Sequence, residues 1–179
     1  MLEILKNGLE STVVKVENDN IIILRPGSVT VEQLEKVANV IIDKNVLKKV
    51  KSNEKVQSPG MKYRHYAPKT KCLLVYFKDE NKQIEEIQTE IQNQKNKNKK
   101  VAVIGFLEHK SFFKNAQYFI DFGNVNCYNE VAHNIYSVIR KADNLNVDFI
   151  IIEGVPKEEI GLAIMNRLYR AVSGNILEK

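Results

Sequence analysis

No apolar run in the 179 residues is long enough to cross a bilayer, and Met1 to Leu9 mixes Glu3, Lys6 and Asn7 with its apolar residues. That excludes a transmembrane helix and a secretory signal, and a cytoplasmic protein is expected. Cysteine is scarce. Cys72 and Cys127 are too few for a disulfide framework or a metal cluster, and both stand in strand-like settings, so they are expected as buried free thiols with no redox role. No glycine-rich phosphate fingerprint follows any apolar run, and neither a P-loop nor a zinc-type cysteine spacing occurs, which argues against an independent dinucleotide or metal site.

What is present suits a globular chain. Apolar residues make up 44% of the sequence, enough for one sizeable domain plus an appendage. The net charge of +5 favours polyanionic partners such as ATP or tRNA. Part of that charge is local, because Lys95, Lys97, Lys99 and Lys100 form a lysine-asparagine tract without aromatics and read as a solvated turn ahead of a strand.

Along the chain, Ser11 to Val16 and Asn20 to Leu24 are short β-branched runs separated by Glu17-Asn18-Asp19, a hairpin signal. Such a pair is unstable alone in water, so a partner or the rest of the chain has to cover it. Thr30, with Gln33 as its capping-box partner, opens a helix whose apolar face is Val31, Leu34, Val37, Ala38 and Ile41. Periodicity fades from Lys44 to Gln57, as in a connector. From Lys71 the pattern alternates: strand Cys72 to Tyr76, helix Glu80 to Gln94, strands Val101 to Ile104 and Tyr118 to Asp121. Helix Glu130 to Ala142, capped by Asn129, strand Phe149 to Ile152 and helix Gly161 to Val172 follow. The fold class expected is α/β, a Rossmann-like three-layer domain with a mostly parallel sheet, preceded by a β-hairpin and an extended linker.

Between hairpin and domain, Ser58 to Pro68 packs Tyr63, Tyr66, His65, Lys62 and Arg64 into a segment punctuated by Pro59-Gly60 and Pro68. Aromatic faces, hydrogen-bond donors and positive charge on main chain with little regular pairing suit a loop that closes over an anionic ligand.

Ser58 to Pro68, together with Gly8-Leu9-Glu10-Ser11-Thr12-Val13-Val14, Leu24-Arg25-Pro26-Gly27 and Gly161 to Leu168 followed by Arg170-Ala171, resembles the two-domain threonylcarbamoyl-AMP synthase family. The resemblance runs over essentially the whole chain but only the back part of the family's length. It implies three parts: residues 1–28 as the end of a YrdC-like catalytic domain, 29–70 as a helix and active-site-covering linker, and 71–179 as the Rossmann-like second domain. The activity implied is condensation of threonine, bicarbonate and ATP, with Mg2+, to threonylcarbamoyl-AMP and pyrophosphate for N6-threonylcarbamoyladenosine in tRNA. Most of the catalytic machinery would lie in the first domain, whose lysine, arginine and serine nucleotide-binding motif has no counterpart here, so the chain acting alone is expected to be inactive. The other reading is a non-catalytic α/β regulatory or binding module that docks a separate YrdC-like domain or RNA.

By the same resemblance Ser11 is the threonine-contacting serine and Arg25 the ATP-contacting arginine. A strand-start hydroxyl and a guanidinium beside Pro26-Gly27 have the right chemistry for a polar amino acid and for phosphate oxygens. Tyr63 is the linker candidate for nucleotide contact, with Lys62, Arg64, His65 and Tyr66 ranked behind it; His65, lacking an identifiable carboxylate partner, reads as a hydrogen bonder rather than a base. No metal ligands are assigned. Two departures from the family pattern stand out. Lys15 replaces an acidic position, expected on the solvent side of its strand, and Glu159 stands where relatives tend to carry the first glycine of Gly-Leu-Gly before the last helix. Asn166 and Arg167, on that apolar helix, are expected to tie the domain to the linker or to the catalytic domain.

Overall fold

The computed structural model describes residues 8–47 and 67–179. Val13–Glu17 (β1) and Asn20–Arg25 (β2) pair antiparallel through a turn in which Asn18 and Asp19 both take positive φ, 48° and 59°. A two-residue turn of that hand matches the twist of the strands it joins, and asparagine and aspartate tolerate it best after glycine. The capping box at Thr30 is formed as expected, yet its helix, α1, covers only Val31–Leu34. The expected extension of that helix to Ile41 is overturned: Asn39–Ile42 is a strand, β3, lying parallel to β2 with Ile21 opposite Val40 and Ile22 opposite Ile41. The reason is the β-branched run Val40-Ile41-Ile42, which loses side-chain freedom in a helix and fits a pleated sheet beside Ile21–Ile23.

The second sheet has five strands: Lys71–Tyr76 (β4), Val101–Gly105 (β5), Tyr118–Asp121 (β6), Phe149–Glu153 (β7) and Ile176–Glu178 (β8). The order is β6-β5-β7-β4-β8 and every pairing is parallel. Parallel strands require crossovers, supplied by Glu80–Lys95 (α2), a 3-10 helix at Leu107–Phe113, Tyr128–Asp143 (α3) and Ile160–Ala171 (α4). Sequence patterning anticipated β4 to β7 and α2 to α4, but not the 3-10 helix or β8. Helix α3 starts after Cys127 rather than from an Asn129 cap.

Strand period two explains the layers. Cys72, Leu74, Ala102, Ile104, Ile150 and Ile152 face α3 and α4, where Val131, Ile135, Ile139, Ala163, Ile164 and Leu168 meet them. Leu73, Val75, Val101, Val103 and Ile151 face the other way, onto Ile84, Ile87 and Ile91 of α2 and Phe113. Both faces are covered, so the strands read as continuous apolar runs. Each fully buried isoleucine contributes about 1.5–3 kcal/mol relative to exposure. Leu9, from the segment ahead of β1, belongs to the same core as α3 and α4. Cys72 is buried as expected, but Cys127 is exposed at the head of α3, which corrects the expectation of a second buried thiol. Among the described residues no helix is long and apolar enough to cross a membrane.

Candidate functional site

Ser11 and Arg25, fourteen residues apart, come together because β1 and β2 are antiparallel. Arg25 donates from Nε and Nη2 to the Ser11 carbonyl at 3.3 and 3.0 Å, and Nη2 stands 3.4 Å from the Ser11 hydroxyl. Two donors on one carbonyl set the guanidinium plane, leaving Nη1 without a bond among the described residues. Gly27 is what lets the strands' ends close up, since a Cβ there would sit 2.3 Å from the Glu10 carbonyl oxygen and 2.5 Å from Thr12 N. Thr12 adds a reciprocal pair, donating to Val29 O at 2.6 Å and accepting from Val29 N at 3.0 Å. Lys15 points to solvent and pairs with Glu17.

The residue next to each member of the Ser11 and Arg25 pair is held by α4. Arg167, 6% exposed, donates from Nε to Glu10 Oε2 at 2.9 Å and from Nη1 to Pro26 O at 2.8 Å and Asn166 Oδ1 at 2.7 Å. Its Nη2 lies 2.8 Å from the same Glu10 oxygen, an ion-pair contact without the alignment of a second hydrogen bond. Tyr136 of α3 donates its hydroxyl to Glu10 at 3.1 Å. Burial raises the Glu10 carboxyl, but the Arg167 charge and the hydrogen bonds from its own backbone, Arg167 and Tyr136 outweigh it and hold the group below its ordinary value. Burial pushes the Tyr136 phenol up to about 12, so it remains a donor. Gly8 completes the contact: its φ is +65° and a Cβ would stand 2.2 Å from His133 Cα.

Asn166, fully buried beside Arg167, donates its side-chain amide to Val46 O. At the other side of residues 48–66, the Asp143 carboxylate accepts from Lys69 N at 3.1 Å, Thr70 N at 2.9 Å and the Thr70 hydroxyl at 2.8 Å. Burial raises the Asp143 carboxyl, while those bonds and the Lys69 charge hold it below its ordinary value. The linker candidates Lys62, Tyr63, Arg64, His65 and Tyr66 lie outside the described residues. Among the described residues no group of three or more histidine, cysteine or carboxylate side chains could hold a metal ion.

Glu10 had no role in the sequence reading, and Arg167, expected to tie the domain to the linker or to the catalytic domain, had no named partner. The available signal was a polar pair, Asn166-Arg167, inside an otherwise apolar helical stretch, which a buried helix does not carry without partners. Glu159, at the departure from the family pattern, has φ 48° and ψ −129°, a backbone state that suits glycine, and its N–H donates to Glu32 at 2.9 Å. Gly161 keeps its need for glycine, because a Cβ would meet Pro156 O at 2.0 Å.

Fold and contacts define a Rossmann-like α/β domain whose last helix clamps a three-stranded β arm. The chain belongs to the threonylcarbamoyl-AMP synthase, C-terminal domain family, whose model matches residues 29–173. It is 38% identical over 171 residues to a threonylcarbamoyl-AMP synthase of Bacillus subtilis, covering 95% of this chain and 47% of that protein. It is 35% identical over 174 residues to the protein of the same name from Pyrococcus abyssi, covering 96% of this chain and 48% of that one. The crystal structure of P. abyssi Sua5 complexed with L-threonine matches with a TM-score of 0.83 at 33% identity, over 97% of this chain and 48% of that chain. The chain therefore spans about half the length of the relatives it matches.

Proposed function

We propose that this chain is the C-terminal portion of an L-threonylcarbamoyladenylate synthase and works with a YrdC-like catalytic domain. Residues 1–28 complete that domain's sheet, 29–70 form the helix-containing linker that covers the active site, and 71–179 form the Rossmann-like domain that anchors both. The observation that carries this reading is the Ser11 and Arg25 pair, with Arg25 held on the Ser11 carbonyl and its Nη1 open among the described residues. Ser11 binds threonine through its hydroxyl. Arg25 lends charge to ATP phosphates, and neither residue has to act as a nucleophile. The relative solved with L-threonine supports the choice of amino acid.

Forming threonylcarbamoyl-AMP joins the threonine amine to the bicarbonate carbon with loss of one water, and joins the resulting carbamate oxygen to the α-phosphorus of ATP with loss of pyrophosphate, so negative charge must be stabilised and bulk water kept out. Tyr63 contacts the nucleotide, and Lys62, Arg64, His65 and Tyr66 supply further donors and charge from the linker, which acts as a lid. Mg2+ would accompany ATP through the phosphates, with one or two carboxylates beside them, and no ligand for it is assigned in this chain. The product feeds N6-threonylcarbamoyladenosine formation, which links the protein to tRNA through the pathway.

The test is pyrophosphate release by the chain, by a YrdC-like domain and by their mixture, with threonine, bicarbonate, ATP and Mg2+. Release that requires both, and that falls when Ser11→Ala or Arg25→Ala is introduced, is expected. A YrdC-like domain whose rate and threonine affinity are unchanged by the chain, across several such domains, overturns the reading.

A further inference from the structure

The sheet reverses its winding at β4, β5 and β7: the chain leaves β4 for β5 over one face and returns from β6 to β7 over the other. Outside the carboxyl ends of these strands the loops separate and leave a cleft, the usual place for a ligand in an open α/β sheet. Here the cleft measures about 410 Å³ and is walled by Tyr76, Phe106, Tyr128 and His109, with two carboxylates, Glu80 and Glu158, against one lysine, Lys78, in its lining. Among the described residues, none of the β arm lines it.

Behind the His109 wall lies a buried carboxylate. Glu153, fully buried at the end of β7, accepts from Phe106 N at 3.0 Å and Gln83 Nε2 at 3.4 Å, and lies 2.6 Å from His109 Nδ1. Gly105 makes room, since a Cβ there would come 2.6 Å from the carboxylate. His109, 4% exposed, lines the cleft, its Nδ1 held by Glu153 and its Nε2 3.5 Å from Glu80 Oε1. An apolar set of similar volume would pack this corner as well or better, so a cleft-lining histidine held from behind by a buried glutamate points to a ligand.

The chemistry of the walls chooses among ligands. An anion at this edge would meet Asp79, which already caps α2, and Glu80 in its first turn. Among the described residues the Glu158 carboxylate has no cation paired with it. The tyrosine wall already accepts an ammonium, for Lys157 Nζ lies 5.3 Å from the Tyr76 ring centroid. Carboxylates beside electron-rich rings favour a cationic nitrogen.

We propose that this cleft is a second binding site, separate from the Ser11 and Arg25 pair, for a small ligand carrying an amine or guanidine nitrogen seated on the Tyr76 and Tyr128 rings with its charge toward Glu80 and Glu158. Body size is set by the cleft, which admits an amino-acid-sized to nucleoside-sized molecule.

The experiment titrates the whole 179-residue chain calorimetrically with agmatine and tyramine, and in parallel with AMP and inorganic phosphate. Saturable binding of at least one amine in the micromolar to low-millimolar range, about −4 to −8 kcal/mol, is expected. Glu80→Gln with Glu158→Gln should weaken it by roughly tenfold or more, and Tyr128→Leu by about threefold. Both glutamates are exposed, and an unchanged melting temperature separates lost binding from lost fold. No saturation by either amine up to about 10 mM, a range that covers Kd values weaker than −4 kcal/mol, overturns the proposal. So does amine binding that the double glutamine variant leaves unchanged, or binding of AMP or phosphate in place of the amines. No catalytic domain and no turnover enter this test, so its result is independent of the synthase reading.

Discussion

Arg167 and Glu10, 157 positions apart in sequence, form an ion pair that joins the last helix of the Rossmann-like domain to the loop ahead of β1. Removing the arginine strands a half-buried carboxylate, the Pro26 carbonyl and the Asn166 amide oxygen together. Breaking one side of a buried pair costs about 3–5 kcal/mol, and the partial exposure of Glu10 places Arg167→Met nearer 2–3 kcal/mol. A fall in melting temperature of roughly 5–10 °C follows for a chain of this size. Glu10→Gln, which keeps the shape and one acceptor, should cost less. A thermal scan showing Arg167→Met within about 0.5 kcal/mol of the parent, the range of ordinary surface substitutions, would mean the clamp does not hold the arm.

Glu159 gives a prediction of the opposite sign. A non-glycine residue at φ 48°, ψ −129° carries local strain of about 1–3 kcal/mol, and its side chain makes no cap bond to offset it. Glu159→Gly relieves the strain while keeping the backbone bond to Glu32, at the cost of a more flexible unfolded chain. A net gain of about 1 kcal/mol in urea unfolding is expected. A loss would show that the glutamate side chain contributes something the backbone angles hide.

These two residues also mark how far the sequence could be read. The α/β class, strands β4 to β7 and helices α2 to α4 were legible because strands buried on both faces leave continuous apolar runs and the helices keep their period. The stretch after Thr30 was misread because Val31, Leu34, Val37, Ala38 and Ile41 satisfy a helical period while Val40-Ile41-Ile42 also satisfies a strand, and only pairing with β2 decides between them. Strand β8 is three residues long and leaves too short a pattern to detect. Cys127 was misplaced because a strand-like neighbourhood was inferred where the chain turns into α3. At the site, Ser11 and Arg25 were picked out by local motif. Glu10 was not, since its role exists only through Arg167, a contact that no local pattern encodes.

Stability should fall as pH rises through neutrality, and His109 is the cause. The hydrogen bond to Glu153 comes first among the influences that raise its pKa above 6.5; burial opposes it, and the Glu153 and Glu80 charges add to it. A raised folded value means the contribution is fully present below the unfolded value near 6.5 and is lost as pH climbs through the folded one. The carboxylates of Glu10, Glu32 and Asp143 work in reverse, each held low and each giving up its contribution only in acid, below 4.5 for the glutamates and 3.8 for Asp143. Urea midpoints between about pH 5.5 and 8.5, a window around the ordinary histidine value, should decline in the parent and flatten in His109→Gln. An equal slope in both would assign the effect elsewhere.

The two thiols should react at very different rates. Burial, aided by the Asp143 charge, pushes Cys72 up to about 12, and its Sγ donates to Thr70 O at 3.2 Å, whereas Cys127 is exposed. Thiolate is the reactive form, so a disulfide reagent at pH 8 should titrate one thiol quickly in the folded chain and the second only in denaturant. Cys127→Ser should remove the fast phase. Two fast thiols in the folded state would contradict the packing of β4.

The three-stranded sheet of the arm leaves Val16 71% exposed, with Val14, Ile41 and Ile42 also open to solvent. Side chains of this kind on one small sheet are what a catalytic domain would cover, and uncovered they invite association. Because they bury little in this chain, Val16→Lys with Ile42→Lys, which share one face of the sheet, should change its stability by less than about 0.5 kcal/mol per site. The same pair should reduce self-association in light scattering and abolish the rate gain on mixing with a YrdC-like domain. Lysines that leave complementation intact would place the contact on a different face of the arm. Loss of complementation together with a large fall in melting temperature would instead mean that the sheet supports this chain's own fold.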